Sequence, residues 1–203
     1  MLTDFPNLLT LSRIIIIPVL VGLFYLDDVV WRWVSVALFS LAGVTDYFDG
    51  YFARRWAQIS AFGRFLDPIA DKLLVAAVIL MLVARGRIAG LVVLPALVIL
   101  CREVMVSGLR EFLAQVNVGV PVSRLAKWKT ALQLVALGVL IVGDAAGPWA
   151  QWCGELGLWV AAAITLVTGY DYLHAGLKHM TPRAKPAERG GAQPRGKPAS
   201  TAQ

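Results

Sequence analysis

The chain is poor in charge, cysteine and histidine. Only 16% of its 203 residues are Asp, Glu, Lys or Arg, against about a quarter in a typical soluble domain. Its two cysteines, Cys101 and Cys153, have no CxxC partner, and the two histidines, His174 and His179, lie far from both. A zinc site and a disulfide framework are therefore excluded as organising features. Two histidines near the end of the last apolar run read as interfacial groups rather than catalytic ones. The N-terminus lacks a basic region followed by a cleavage site, so the first helix is expected to be retained.

What the chain has instead is apolar residues. They make up 58% of the sequence, and the mean hydropathy is +0.68. A membrane-spanning helix needs about 20 apolar residues, so this content fills about six spans. Apolar runs at about 8–26, 33–52, 65–84, 88–113, 125–142 and 156–175 supply them. The fold expected is an all-α integral membrane protein of six transmembrane helices, with a short amphipathic turn, Pro6-Asn7-Leu8-Leu9-Thr10, at its N-terminus. Pro18 is expected to kink the first helix. Residues 1–181 form one transmembrane domain, and no internal repeat is visible.

The net charge of +6 does not point to nucleic acid. From Lys178 onward six basic residues face one acid, so the tail carries +5 of the +6. Residues 182–203, rich in Pro, Gly and Ala, are expected to be a disordered basic tail that touches anionic headgroups. Arg54, Arg55 and Arg64 after the second run, Arg124 before the fifth with Lys127 and Lys129 just inside it, and the tail all fall on one side. The positive-inside rule places that side, with both termini, in the cytoplasm; Arg85 and Arg87 are a minor violation.

Four carboxylates stand out, because charge within a span is costly. Asp46 and Asp49 are three apart near the end of span two, and Asp67 and Asp71 four apart at the start of span three. Each spacing puts both side chains on one helix face. Two antiparallel helix ends bring the four acids together. Such a cluster takes up protons or binds cations. Two divalent cations neutralise it, and all-oxygen ligation favours Mg²⁺ or Mn²⁺. Gly50, Ala53 and Gly63 leave backbone bare for a close ligand, and Arg54 is a fixed cation suited to phosphate. Asp27, Asp28, Asp144 and Glu155 read as loop acids, and Asp171 as a polar helix contact.

The string Asp46-x2-Asp49-Gly50-x2-Ala53-Arg54-x8-Gly63-x3-Asp67-x3-Asp71 resembles the signature of the CDP-alcohol phosphotransferase family at all eight fixed positions. Pro6-Asn7-Leu8-Leu9-Thr10 with Arg13 is similar to that family's N-terminal stretch. Cys101-Arg102-Glu103 to Arg110-Glu111, then Lys127-Trp128-Lys129-Thr130, resemble its bacterial phosphatidylglycerophosphate-forming branch. The resemblance implies six spans around a cytoplasm-facing polar cavity, a homodimer, and a bacterial inner-membrane location. It implies that Asp46, Asp49 and Asp67 hold one metal, and that Asp46, Asp67 and Asp71 hold the second. Asp71 is also the general base. Gly50, Ala53, Arg54 and Gly63, with Asp49, line the CDP site, and Asn7 and Thr10 close it.

The reaction so implied passes a phosphatidyl group from CDP-diacylglycerol to glycerol 3-phosphate. A dianionic acceptor calls for cations. Arg102 and Arg110 are eight apart on span four, and Arg124 and Lys127 share a face at a spacing of three. Arg102 has an ion pair with Glu103 or an Asp as its equal alternative, and Lys129 reads as snorkelling to the interface. Other acceptors, such as inositol phosphate or phosphatidylglycerol, remain open. A divalent-cation transporter is the competing class, disfavoured because the acids lie toward one end and no repeat is present.

Overall fold

The computed structural model describes residues 5–26, 28–56, 61–115 and 124–180. Among them the chain forms α1 (Phe5–Leu23), α2 (Val29–Trp56), α3 (Ala61–Ala84), α4 (Val93–Gln115), α5 (Arg124–Val142) and α6 (Pro148–Met180). Single 3₁₀ turns at Gly90–Val92 and Gly143–Ala146 lead into α4 and out of α5. The described residues contain no strand. The amphipathic N-terminal turn is not a separate element, because α1 runs through it from Phe5. The tail 182–203 lies outside the described residues.

The helix ends follow local rules. Gly86 has φ 68° and stops α3 in a Schellman motif. There the Arg87 N–H donates to the Leu82 carbonyl at 2.9 Å, and the Gly86 N–H to that of Val83 at 3.0 Å. Pro148 opens α6 at the one helical position where a missing N–H costs nothing. Pro18 and Pro68 lie inside α1 and α3. Pro68 falls between Asp67 and Asp71, and the Lys72 Nζ donates to its carbonyl at 2.8 Å.

Among the described residues, three helical stretches are long and apolar enough to cross a membrane: Gly90–Leu113, Lys127–Ala146 and Pro148–Tyr170. Thr10–Leu23 and Val29–Thr45 are shorter apolar stretches. Large apolar side chains such as Ile15, Val30, Leu80, Leu97, Val135, Trp152 and Leu166 face outward. In water such a surface would aggregate; in a bilayer it is the expected exterior.

Neighbouring helices close a ring. α1 packs on α2 and α3, α2 on α5, α5 on α6, α6 on α4, and α4 back on α3. The tightest pairing is α5 with α6, where glycine replaces side chains. A Cβ on Gly154 would meet the Leu140 Cγ at 2.6 Å, and one on Gly157 would meet the Ala136 Cβ at 3.0 Å. Small residues at a helix crossing let backbones approach, which substitutes for the hydrophobic drive that lipid does not supply.

Buried residues sort by height along the bundle. One half is filled by Leu20, Phe24, Leu82, Ile88, Leu140, Ile141 and Leu158. Except for Ser35, the buried polar residues among those described lie in the other half. They are Thr10 and Arg13 on α1, Arg102 on α4, Lys129 and Gln133 on α5, and Thr165 and Thr168 on α6.

Candidate active site

The two carboxylate pairs fall within continuous helix. Asp46 and Asp49 belong to α2, with Gly50, Ala53 and Arg54 following them on the same helix. Asp67 and Asp71 belong to α3, with Gly63 one turn before. The spacings of three and four therefore keep each pair on one face. These positions lie at the end of the bundle that carries the buried polar residues. The side chains of Asp46, Asp49, Gly50, Ala53, Arg54, Gly63, Asp67, Asn7, Arg124 and Asp171 lie outside the described set. Among the described residues no three His, Cys, Asp or Glu side chains converge. Thr10 is buried on α1, and Asp71 is half-buried on α3.

What the structure does resolve beside Asp71 is a buried ionic cluster joining three helices. Lys129 on α5 is 2% exposed, and its Nζ donates to the Glu103 carboxylate of α4. Glu103 also accepts from the Arg102 NH1 at 3.5 Å. The Arg102 NH2 donates to the Thr168 Oγ1 of α6 at 3.3 Å, and the guanidinium lies 5.7 Å from the centre of the Tyr172 ring. Gly169 makes room for it: a Cβ there would meet the Arg102 Cγ at 3.2 Å. The charge of Asp71 acts on Lys129 as well, from α3. Two cations, Arg102 and Lys129, against one anion, Glu103, give these three residues a formal charge of +1.

This corrects one expectation. Lys129 does not snorkel to the interface; it is drawn inward by Glu103. Lys127, about 200° away around the helix, is exposed, as 3.6 residues per turn requires. For Arg102, the ion pair with Glu103 is the arrangement present. Arg110 is exposed on α4. The sequence reading offered Glu103 as an ion-pair partner of Arg102 but did not join it to Lys129, and it assigned no role to Thr168 or Tyr172. Its available signal was an acid placed beside an arginine inside an apolar run, where neither is tolerated alone.

At the opposite end, charges close contacts between helices. Arg32 of α2 pairs with Asp144 after α5. The Arg87 NH1 donates to the Ile141 carbonyl near the end of α5, and its guanidinium lies 5.9 Å from the Phe24 ring centre. The Gln151 Nε2 donates to the Arg87 carbonyl at 2.7 Å and to Glu155 at 2.6 Å. Asp144, Glu155 and Arg87 thus have structural roles that a loop position alone does not reveal.

Comparison with known proteins bears on what such a site does. The family model described as CDP-alcohol phosphatidyltransferase matches residues 3–167. The chain belongs to the CDP-alcohol phosphatidyltransferase family. It is an enzyme of that family, and its apolar helices make it a multi-pass membrane protein. A relative from Rickettsia typhi is 49% identical over 85% of this chain and 96% of its own length. It is named CDP-diacylglycerol–glycerol-3-phosphate 3-phosphatidyltransferase. Relatives from Salmonella typhimurium, 42% identical over 85% of this chain and 94% of their length, and from Cereibacter sphaeroides, 36% over 86% and 96%, carry the same name. This family membership sets aside the transporter reading.

Proposed function

We propose that the chain transfers the phosphatidyl group of CDP-diacylglycerol to the 1-hydroxyl of sn-glycerol 3-phosphate. The products are phosphatidylglycerophosphate and CMP. One observation carries this reading: relatives named for that reaction match nearly their whole length at 36–49% identity.

The donor set fits a divalent pair. Four carboxylates supply only hard oxygen ligands, on continuous helices, in the half of the bundle that buries Arg13, Arg102 and Lys129. Asp46, Asp49 and Asp67 would hold one Mg²⁺ or Mn²⁺, and Asp46, Asp67 and Asp71 would hold the second. When bound, such a pair neutralises charge on the attacking and leaving oxygens of an in-line displacement at phosphorus. The chain's own residues do the rest. Asp71 accepts the proton of the acceptor hydroxyl. That oxygen forms a bond to the phosphorus bearing the diacylglycerol. The bond from this phosphorus to the bridging oxygen breaks, and CMP leaves with the electron pair. Arg54 balances the charge that develops on CMP. Gly50, Ala53 and Gly63, with Asp49, admit the nucleotide, and Asn7 and Thr10 close over it.

Arg102, Arg110, Arg124 and Lys127 supply the positive field for the acceptor phosphate. Arg102 acts in that field from within its pair with Glu103, whereas Arg110 and Lys127 are exposed and free to reach a soluble anion. The aspartate end faces the cytoplasm of a bacterial inner membrane, where glycerol 3-phosphate is available, and the working unit is a homodimer.

The test is CMP release by purified protein in detergent with CDP-diacylglycerol and Mg²⁺. Release that requires glycerol 3-phosphate, stops with chelator and yields phosphatidylglycerophosphate is the expected result. Release only with inositol phosphate or phosphatidylglycerol overturns the acceptor and keeps the family chemistry.

A further inference from the structure

A groove between α2 and α5 belongs neither to the buried ionic cluster nor to the contacts at the opposite end. It encloses about 820 Å³, within the range of ligand pockets. Trp33, Ser40 and Val44 of α2 line it, at spacings of seven and four that keep them on one side of that helix. Val135 and Gly138 form part of the α5 wall. Gly138 deepens the groove: a Cβ there would meet the Val36 Cγ2 of α2 at 3.5 Å, so the two helices lie within van der Waals reach beneath it. Trp149 of α6 lines the same end as Trp33, where Arg32 joins Asp144. No charged side chain lines the groove among the described residues, and Ser40, Val44 and Val135 on its rim are exposed. A lipid chain can therefore enter it sideways from a bilayer.

Its position decides between occupants. Val44 stands two residues before Asp46 on α2, a rise of about 3 Å. From Val44 to Trp33 the helix rises about 16 Å. That is close to half of a hydrocarbon core of about 30 Å, the depth of one lipid chain. A lipid whose phosphates are held at the aspartates has its chains start at the Val44 end, and they need an apolar path from there. We propose that this groove takes one acyl chain of the lipid donor and makes turnover depend on the length of that chain. The inference rests on the phosphatidyl-transfer reading above. A chain tethered at the aspartates reaches the groove without leaving the site, whereas a bilayer lipid or a second copy of the protein has to displace it.

The experiment compares dioctanoyl and dipalmitoyl CDP-diacylglycerol as donors for the full chain in detergent micelles, with Mg²⁺ and glycerol 3-phosphate, reading CMP release. Ser40→Phe puts a ring into the groove about 9 Å along α2 from Asp46. It should lower kcat/KM for the dipalmitoyl donor by about tenfold or more, the scale of overfilling an apolar site, and leave the dioctanoyl donor within about threefold of wild type. Leu41→Phe adds the same ring at an exposed position that does not line the groove, and both donors should keep their wild-type values. Loss on both donors alike, or on neither, in Ser40→Phe overturns the proposal, as does the same selective loss in Leu41→Phe. If Ser40→Phe does not fold, Val135→Phe on the α5 wall decides by the same ratio. A Ser40→Phe particle that falls from dimer to monomer assigns the groove to a second copy and overturns the proposal. Wild type that releases no CMP from either donor overturns the transfer reading and this inference with it; an active wild type with an unselective Ser40→Phe overturns this inference alone.

Discussion

At the end of the bundle carrying Arg32, Arg87, Asp144 and Gln151, described polar side chains join one helix to another through a named contact. At the aspartate end the contacts leave charge over. Glu103 answers two cations, and four aspartate positions lie on α2 and α3. The first arrangement resembles a clamp. Its groups are spent on each other, and the layer beneath it is Leu, Ile and Phe. The second resembles a site, because the excess of positive charge on Arg102 and Lys129 over Glu103 lies in the same half of the bundle as the aspartate positions of α2 and α3.

Substitutions at the two ends should separate these roles. The largest effect is expected at the carboxylates. Asp71→Asn should lower kcat by about a hundredfold to ten-thousandfold, the contribution of a positioned base, and leave the melting temperature in detergent within a few degrees of wild type. Near-normal turnover by Asp46→Asn, Asp67→Asn or Asp71→Asn would remove the distinction between a site and a clamp. Next is Gly154→Ala. Its new methyl collides with Leu140, so unfolding in detergent should come earlier by about 1–3 kcal/mol. Turnover per folded molecule should be unchanged; a fall in kcat would mean that the α5–α6 crossing transmits to the aspartates.

Arg87→Ala removes the donor to the Ile141 carbonyl and the contact with Phe24. It should cost about 1–3 kcal/mol of stability through the unsatisfied carbonyl, with KM for both substrates unchanged. Arg110→Ala should raise KM for glycerol 3-phosphate more than KM for CDP-diacylglycerol, and the reverse would move Arg110 to the nucleotide side. The smallest effect is expected for Asp144→Asn. Asp144 is 82% exposed in its pair with Arg32, and such pairs contribute about 0–1 kcal/mol. A larger loss, undiminished by salt, would show the clamp to be stronger than its exposure implies.

The helices themselves were legible in the sequence because lipid imposes a simple rule: a segment that satisfies its own backbone hydrogen bonds and shows apolar side chains outside. The six apolar runs became α1 to α6. Most ends moved outward, α6 beginning at Pro148 and α2 reaching Trp56, because polar and aromatic residues at the interface continue a helix that hydropathy alone cuts short; α1 stops short at Leu23, and α4 opens only at Val93 after a 3₁₀ turn. The aspartate register was legible for a different reason. A spacing of three or four is a statement about one helix, and one helix needs no tertiary information.

What the sequence by itself determined, then, is everything local: the helices, the spacing of the paired acids and the glycines beside them. The tertiary structure decided which charges meet. Whether Lys127 or Lys129 turns inward depends on how α5 is rotated against α4 and α6, and that rotation is set by Gly154 and Gly157 fitting around Leu140 and Ala136. Whether Arg102 meets Glu103, Thr168 or an aspartate depends on the same packing. Charge pairing across helices is a matter of a few ångströms between residues far apart in the chain, and no periodicity along the chain records it.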